Sequence, residues 1–186
     1  MYKPFAFVLA LGVISTAHAN LITNGDFSLS VPNNGTGNGW TAAQNDGAGG
    51  WRSTGGNPGG TFILNEAGAS ATDPTISQTV TLVVGQQYQV SVDVARGNAS
   101  QGNNNDFRMS IDGNDWNHQV PFSTVAFATY TNTFTATSST ATLTLVGEDF
   151  GDSDPRIDNV TLTAVPEPFS MVALAAGLLA LRRRRG

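Results

Sequence analysis

The segment Gln87-Tyr88-Gln89-Val90-Ser91-Val92-Asp93-Val94 alternates polar and apolar residues without a slip. A strict period of two demands extended chain, because only a strand sends every second side chain to one face. Tyr88, Val90, Val92 and Val94 then form a buried face. The pattern recurs over Ile76–Leu82, Phe107–Ile111, Tyr130–Ala136, Ala141–Val146 and Ile157–Leu162, with Phe62–Leu64 and His118–Phe122 as weaker segments. In Tyr130–Ala136 threonine fills the wet face, where a β-branched side chain suits a pleated surface. Between Asn20 and Ala164 no apolar run has helical spacing. Roughly seven to nine short strands without helices predict an all-β fold, an antiparallel β-sandwich.

Residues 20–164 are enough for one domain with its own core. Two stretches within it, the Gly-rich Pro32–Gly60 and the Asn/Gly/Ser-rich Gly97–Asp106, read as surface loops of that domain. The chain has no cysteine, so sheet packing, with or without a metal, must hold it. Lys3 and Arg182–Arg185 lie outside 20–164, as does Glu167. The domain therefore sets four arginines (Arg52, Arg96, Arg108, Arg156) against thirteen acids, a net charge near −9. Such a surface repels nucleic acid and anionic headgroups and excludes both as partners.

The two ends carry addresses. Met1-Tyr2-Lys3, the apolar run Phe5–Ile14 and Ala17-His18-Ala19 have the layout of a secretory signal peptide, residues 1–19, cut before Asn20. At the other end, 165–186, Val165-Pro166-Glu167-Pro168 precedes the apolar segment Phe169–Leu181 and a stop at Arg182, Arg183, Arg184 and Arg185. The prolines end the folded domain, and the arginines stay on the cytoplasmic side. This tail resembles the PEP-CTERM sorting signal of Gram-negative bacteria, with Pro166, Glu167 and Pro168 as the motif read by an exosortase-type enzyme. At ~1.5 Å per residue the apolar segment reaches ~20 Å, short of a ~30 Å hydrocarbon core. A transient inner-membrane anchor is therefore expected, followed by processing and delivery to the cell surface or the extracellular space.

A second resemblance covers most of the domain. Leu21-Ile22-Thr23-Asn24-Gly25-Asp26-Phe27, Gly39-Trp40, Ile76-Ser77-Gln78, Gly85-Gln86-Gln87-Tyr88 and Ile157-Asp158-Asn159-Val160 follow the order seen in galactose-binding-like jelly-roll domains, which include bacterial carbohydrate-binding modules. The resemblance implies two antiparallel sheets with the first and last strands side by side. It also implies a structural calcium, held by Asp158 of the last strand and completed by Asp26 or a nearby carbonyl.

The residues themselves offer limited chemistry. With one histidine between the two signals, His118, and no G-x-S-x-G, H-E-x-x-H or Walker pattern, a hydrolytic site is not expected. Paired acids acting on matrix glycans remain the least favoured reading. Glu148, Asp149, Asp152, Asp154 and Asp158 gather near Arg156, and calcium takes oxygens from such loops; a solvated acidic loop is the alternative. Asp112-Gly113-Asn114-Asp115 lacks the pattern of an EF-hand and reads as a turn between strands. Trp51 with Arg52, and Trp116 among Asn114, Asp115 and Asn117, are candidate sugar platforms or, equally, loop anchors; Trp40 reads as core. The chain is expected to be an exported, non-enzymatic surface protein, structural or adhesive in an exopolysaccharide or biofilm matrix. The alternative is a carbohydrate-binding module with a defined glycan site.

Overall fold

The computed structural model describes residues 19–45, 49–65, 72–97, 106–119, 126–148 and 155–166. Eleven strands build two antiparallel sheets: β1 (Gly35–Gly37), β2 (Trp40–Ala43), β3 (Gly50–Gly56), β4 (Gly59–Ile63), β5 (Thr75–Thr81), β6 (Gln87–Arg96), β7 (Asp106–Ile111), β8 (Asn114–Gln119), β9 (Ala128–Thr135), β10 (Thr140–Glu148) and β11 (Pro155–Ala164). One sheet runs β1-β2-β5-β10-β7-β8 and the other β3-β4-β11-β6-β9. No helix occurs among the described residues. The expected all-β sandwich of jelly-roll type is the fold observed.

Alternation sets which side chains enter the core. Val90, Val92 and Val94 of β6 and Ile157, Val160 and Leu162 of β11 are fully buried from one sheet. Ile76 of β5, Phe107 and Met109 of β7, and Leu143 and Leu145 of β10 meet them from the other. Phe27 stacks on Trp40 at 5.5 Å and tilts against Phe62 at 6.0 Å, closing one end of the core. Trp40 is core, as its Gly39 turn suggested, and its indole N–H donates to the Asn24 carbonyl at 3.0 Å.

The Pro32–Gly60 stretch is not a surface loop. It supplies β1, β2 and β3 and opens β4. Glycine here permits close approach rather than disorder: a Cβ on Gly60 would sit 2.0 Å from the Phe27 carbonyl oxygen. Of the weaker His118–Phe122 segment, His118 and Gln119 end a strand, and 120–122 lie outside the described residues. The strand is Asn114–Gln119, reached from β7 through the expected turn at Asp112-Gly113, where φ is +50° and +77°. Two positive φ values suit the twist of a two-residue hairpin.

The first and last strands are not neighbours, since β1 lies at the edge of the sheet opposite β11. It is the irregular segment after Asn20 that runs along β11. Leu21 N donates to Leu162 O at 2.9 Å, and Val160 N to Gly25 O at 2.8 Å.

Candidate functional site

The tip of the β3–β4 hairpin folds over the outward face of β11 and β6. Three features bring it there. Register between β3 and β4 shifts between Arg52 and Gly56, bending the tip out of the sheet plane. Gly56 lies so close to Gly60 and Asp158 that a Cβ would meet Gly60 O at 1.7 Å and Asp158 Oδ2 at 2.6 Å. Register between β11 and β6 also shifts between Asp158 and Thr161, where Asn159 takes φ +48°.

Under this tip, Asp158 and Asp93 stand directly opposite each other on adjacent strands. Like charges in that relation are destabilising. Two asparagines bridge them. Asn57 N donates to Asp158 Oδ2 at 2.5 Å, while its side-chain amide donates to Asp93 Oδ2 at 3.1 Å. Asn159 N donates to Asp158 Oδ1 at 2.7 Å, and its side-chain amide donates to Asp93 Oδ2 at 2.9 Å and to the Asn57 carbonyl. Thr129 Oγ1 of β9 donates to Asp93 Oδ1 at 2.6 Å. Asp158 is 0 % exposed. Burial is the main cause that pushes its carboxyl above the usual range; the Asn57 and Asn159 N–H groups pull it down, and the Asp93 and Asp26 charges push it up again.

At the rim, Asn57 and Thr129 are exposed. The half-buried Arg156 donates to Gly55 O at 3.2 Å and to Arg96 O at 3.0 Å, and its guanidinium lies 5.3 Å over the Phe127 ring. The result is a shelf of amide and hydroxyl groups over two buried carboxylates, beside a flat cation–aromatic stack. Outward positions continue it in rows of hydrogen-bonding side chains, Thr161–Ser91–Thr131 and Thr163–Gln89–Thr133. Such a surface suits a ligand with many hydroxyls.

The residues marked from sequence fall in separate places. Trp51 pairs with Phe62, packs half-buried against the core, and donates its indole N–H to the Phe27 carbonyl at 2.7 Å. Arg52 is exposed and donates to Gly49 O at 3.1 Å and Trp51 O at 3.0 Å. Trp116 pairs with Met109 and packs half-buried at 6.3 Å from Phe134. Trp51 is on β3 of one sheet and Trp116 on β8 of the other, so the fold does not bring the two rings together.

Asp26 is exposed and accepts from Ser28, Oγ at 3.0 Å and N at 3.3 Å, within electrostatic reach of Asp158. Asp149, Asp152 and Asp154 lie outside the described residues, as do Glu167, Pro168 and Arg182–Arg185. Among the described residues no three His, Cys, Asp or Glu gather as a metal-binding group. A cation at Asp158 would therefore be completed by carbonyl or amide oxygens.

Asn57, Asp93, Thr129, Phe127 and Asn159 carry the shelf but were not marked as site residues from sequence. Asp93 had a usable signal: it breaks the outward Gln/Ser pattern of its strand with a charge. Asn57 had none, because its role depends on where the hairpin folds.

The fold is shared with carbohydrate-binding modules. The family 61 module TmCBM61, solved with β-1,4-galactotriose, superposes with a TM-score of 0.58 at 15% identity, over 79% of this chain and 99% of that one. The CBM22-1 xylan-binding domain from Paenibacillus barcinonensis Xyn10C gives 0.56 at 14% identity, over 82% and 99%. A CBM4 structure gives 0.56 at 17% identity, over 77% and 99%. No curated protein matches the sequence. The family model of DUF642, a protein family of unknown function, matches residues 20–163, and the chain belongs to that family.

Proposed function

We propose that the domain is a non-catalytic carbohydrate-binding module of an exported surface protein, with the shelf at Asn57, Asp93, Thr129 and Asn159 as its glycan site. The observation that carries this reading is the convergence of amide and hydroxyl groups from β3–β4, β9 and β11 over the buried Asp93 of β6, on one outward face. The Arg156–Phe127 stack offers a surface for the apolar side of a sugar ring. A net charge near −9 favours neutral glycans over polyanionic ones. Residues 165–186 would deliver the domain through exosortase-type processing to the cell surface, where glycan binding gives it an adhesive place in an exopolysaccharide or biofilm matrix.

Glycoside hydrolysis is left out on geometric grounds. That chemistry needs two carboxyls roughly 5–9 Å apart with the sugar between them. Asp93 and Asp158 are both buried, with Asp158 sealed under Asn57, so no sugar ring can stand between them.

A structural calcium is proposed beside the shelf, on Asp158. A buried carboxylate opposite a second acid, with Asp26 close enough to raise its pKa, is an oxygen-rich and electronegative setting that suits a hard cation. Its part would be to hold the hairpin tip and the segment after Asn20 against β11.

Binding to a panel of β-1,4-galactan, xylan and purified exopolysaccharide, with calcium and with chelator, tests the proposal. Saturable binding that falls on the order of tenfold in Asn57→Ala is expected, since a lost amide contact in a polar site costs about 1 to 2 kcal/mol. No saturable binding in either condition, or binding indifferent to Asn57→Ala, would sink it.

A further inference from the structure

Four strands end the two sheets, and three of them are defended against pairing with another chain. β1 is only three residues long. β3 has a register shift and presents Arg52. β8 carries Asp115, tied to Arg108 at 3.2 Å. Short length, irregular register and charge are the usual protections of a sheet edge. β9 (Ala-Thr-Tyr-Thr-Asn-Thr-Phe-Thr) has none of them. It is eight residues long, with no charge, glycine or proline, and pairs with β6 in unbroken register from Ala128 to Thr135. Among the described residues its other side pairs with no strand.

We infer that β9 is a strand-addition edge, and that its occupant is β9 of a second copy of this chain. The strand is complementary to itself. Thr129, Thr131, Thr133 and Thr135 are exposed on the outward face, while Tyr130, Asn132 and Phe134 face inward. Residues directly opposite in an antiparallel pair share a face, so a two-fold pairing must set odd numbers against odd. Two registers do this over most of the strand. One places Thr131 opposite itself and Thr129 opposite Thr133. The other places Thr131 opposite Thr133 and Tyr130 opposite Phe134. Both extend the hydroxyl rows across the join, and Thr–Thr and aromatic cross-strand pairs are favourable.

Charge selects the same edge. Two domains near −9 repel each other. A strand without charge is where two copies approach at least cost. Pairing there would join two five-stranded sheets and set two polar shelves on one continuous surface, doubling the valency toward a repetitive polymer.

The absence of cysteine makes the test direct. The full chain in non-ionic detergent is followed by sedimentation velocity. Thr131→Cys and, on the other sheet, Thr142→Cys are treated with a short thiol cross-linker. Expected are a concentration-dependent dimer that tightens with added salt, and cross-linking at position 131 but not 142. In Thr133→Lys, association should weaken on the order of tenfold or more, with unchanged circular dichroism. If the lysine variant fails to fold, the cross-linking pair decides alone. A monomer at every concentration and salt, a dimer indifferent to Thr133→Lys in a folded variant, or equal cross-linking at both positions would overturn the inference.

Discussion

β3 and β9 are the two edges of one sheet and were built by opposite means. β3 is glycine-rich, its register breaks, and its tip leaves the sheet plane to cover Asp158 and reach Asp93. β9 alternates threonine with larger residues and keeps one register from end to end. The irregular edge spends its backbone freedom on tertiary contacts and thereby makes the shelf. The regular edge makes its contacts through side chains and through its pairing with β6, and leaves its outer backbone as a pairing surface. Regularity alone does not mark the functional part of a sheet; the polar site sits where regularity fails.

The sharpest way to break the β3 side is Gly56→Ala. The added Cβ would lie 1.7 Å from a backbone oxygen, and no rotamer change can relieve a backbone contact. The tip must lift, exposing the Asp158–Asp93 pair, at a cost of about 3 kcal/mol. For a domain of this size that is a fall in Tm on the order of 10 °C. Gly59 is the comparison, because its Cβ would enter open space and only its φ of +92° resists. Gly59→Ala should cost about 1 to 2 kcal/mol. Equal losses in the two variants would mean that the close approach at Gly56 does not fix the tip.

Asp158→Asn sharpens the same comparison with a smaller effect that varies with calcium and pH. Burial raises the folded-state pKa of Asp158, so the fold disfavours its ionised form. Its favourable contribution is complete below the unfolded pKa and is lost as pH rises through the raised folded value. In chelator at neutral pH the asparagine removes that buried charge, but its NH2 must face one of the two backbone N–H donors, Asn57 or Asn159, that Asp158 now accepts from, so its Tm should stay close to the parent's. The parent should gain on the variant as the pH is lowered. In calcium at neutral pH the parent should clearly exceed the variant, because a bound cation stabilises the ionised carboxylate. A Tm difference that ignores both calcium and pH would remove the proposed metal from Asp158.

How much of this was legible in the chain divides along the same line. Where alternation was clean, as in Gln87–Val94 and Tyr130–Ala136, local sterics and burial agree, and the strands lie where the pattern put them. Trp40 was legible as core from the Gly39 turn before it. The strands of Pro32–Gly60 were not, because glycine has no side chain to alternate; that segment is packed closely against Thr23 and Phe27, which precede it in sequence. Asp158 was marked, but its partner Asp93 depends on the register between β11 and β6, which composition does not encode. Trp51 and Trp116 looked alike among polar neighbours, yet cross-strand pairing turns both rings toward the core.

The smallest expected effect tests the β9 side through His118, which closes the gap between β8 and β9. Its ring stacks on Phe107 at 5.1 Å and lies 5.0 Å from Tyr130. Its Nε2 is 2.8 Å from the Asn132 side-chain amide, so a donating amide requires Nε2 without a proton. Burial lowers the pKa of His118, which favours the neutral ring in the fold. The neutral ring's contribution is present above the unfolded value near 6.5 and is lost as pH falls through the lower folded value. Protonation sets two donors face to face and loosens Asn132 on the very edge proposed for pairing. His118→Gln keeps a hydrogen-bond acceptor without a titration. The parent should therefore lose a few degrees of Tm relative to His118→Gln between about pH 7 and 5, and its dimer should weaken over the same range. A parallel pH dependence in both proteins would show that pairing with β6 and the packing of Tyr130 and Phe134 hold β9 in place, with His118 a bystander.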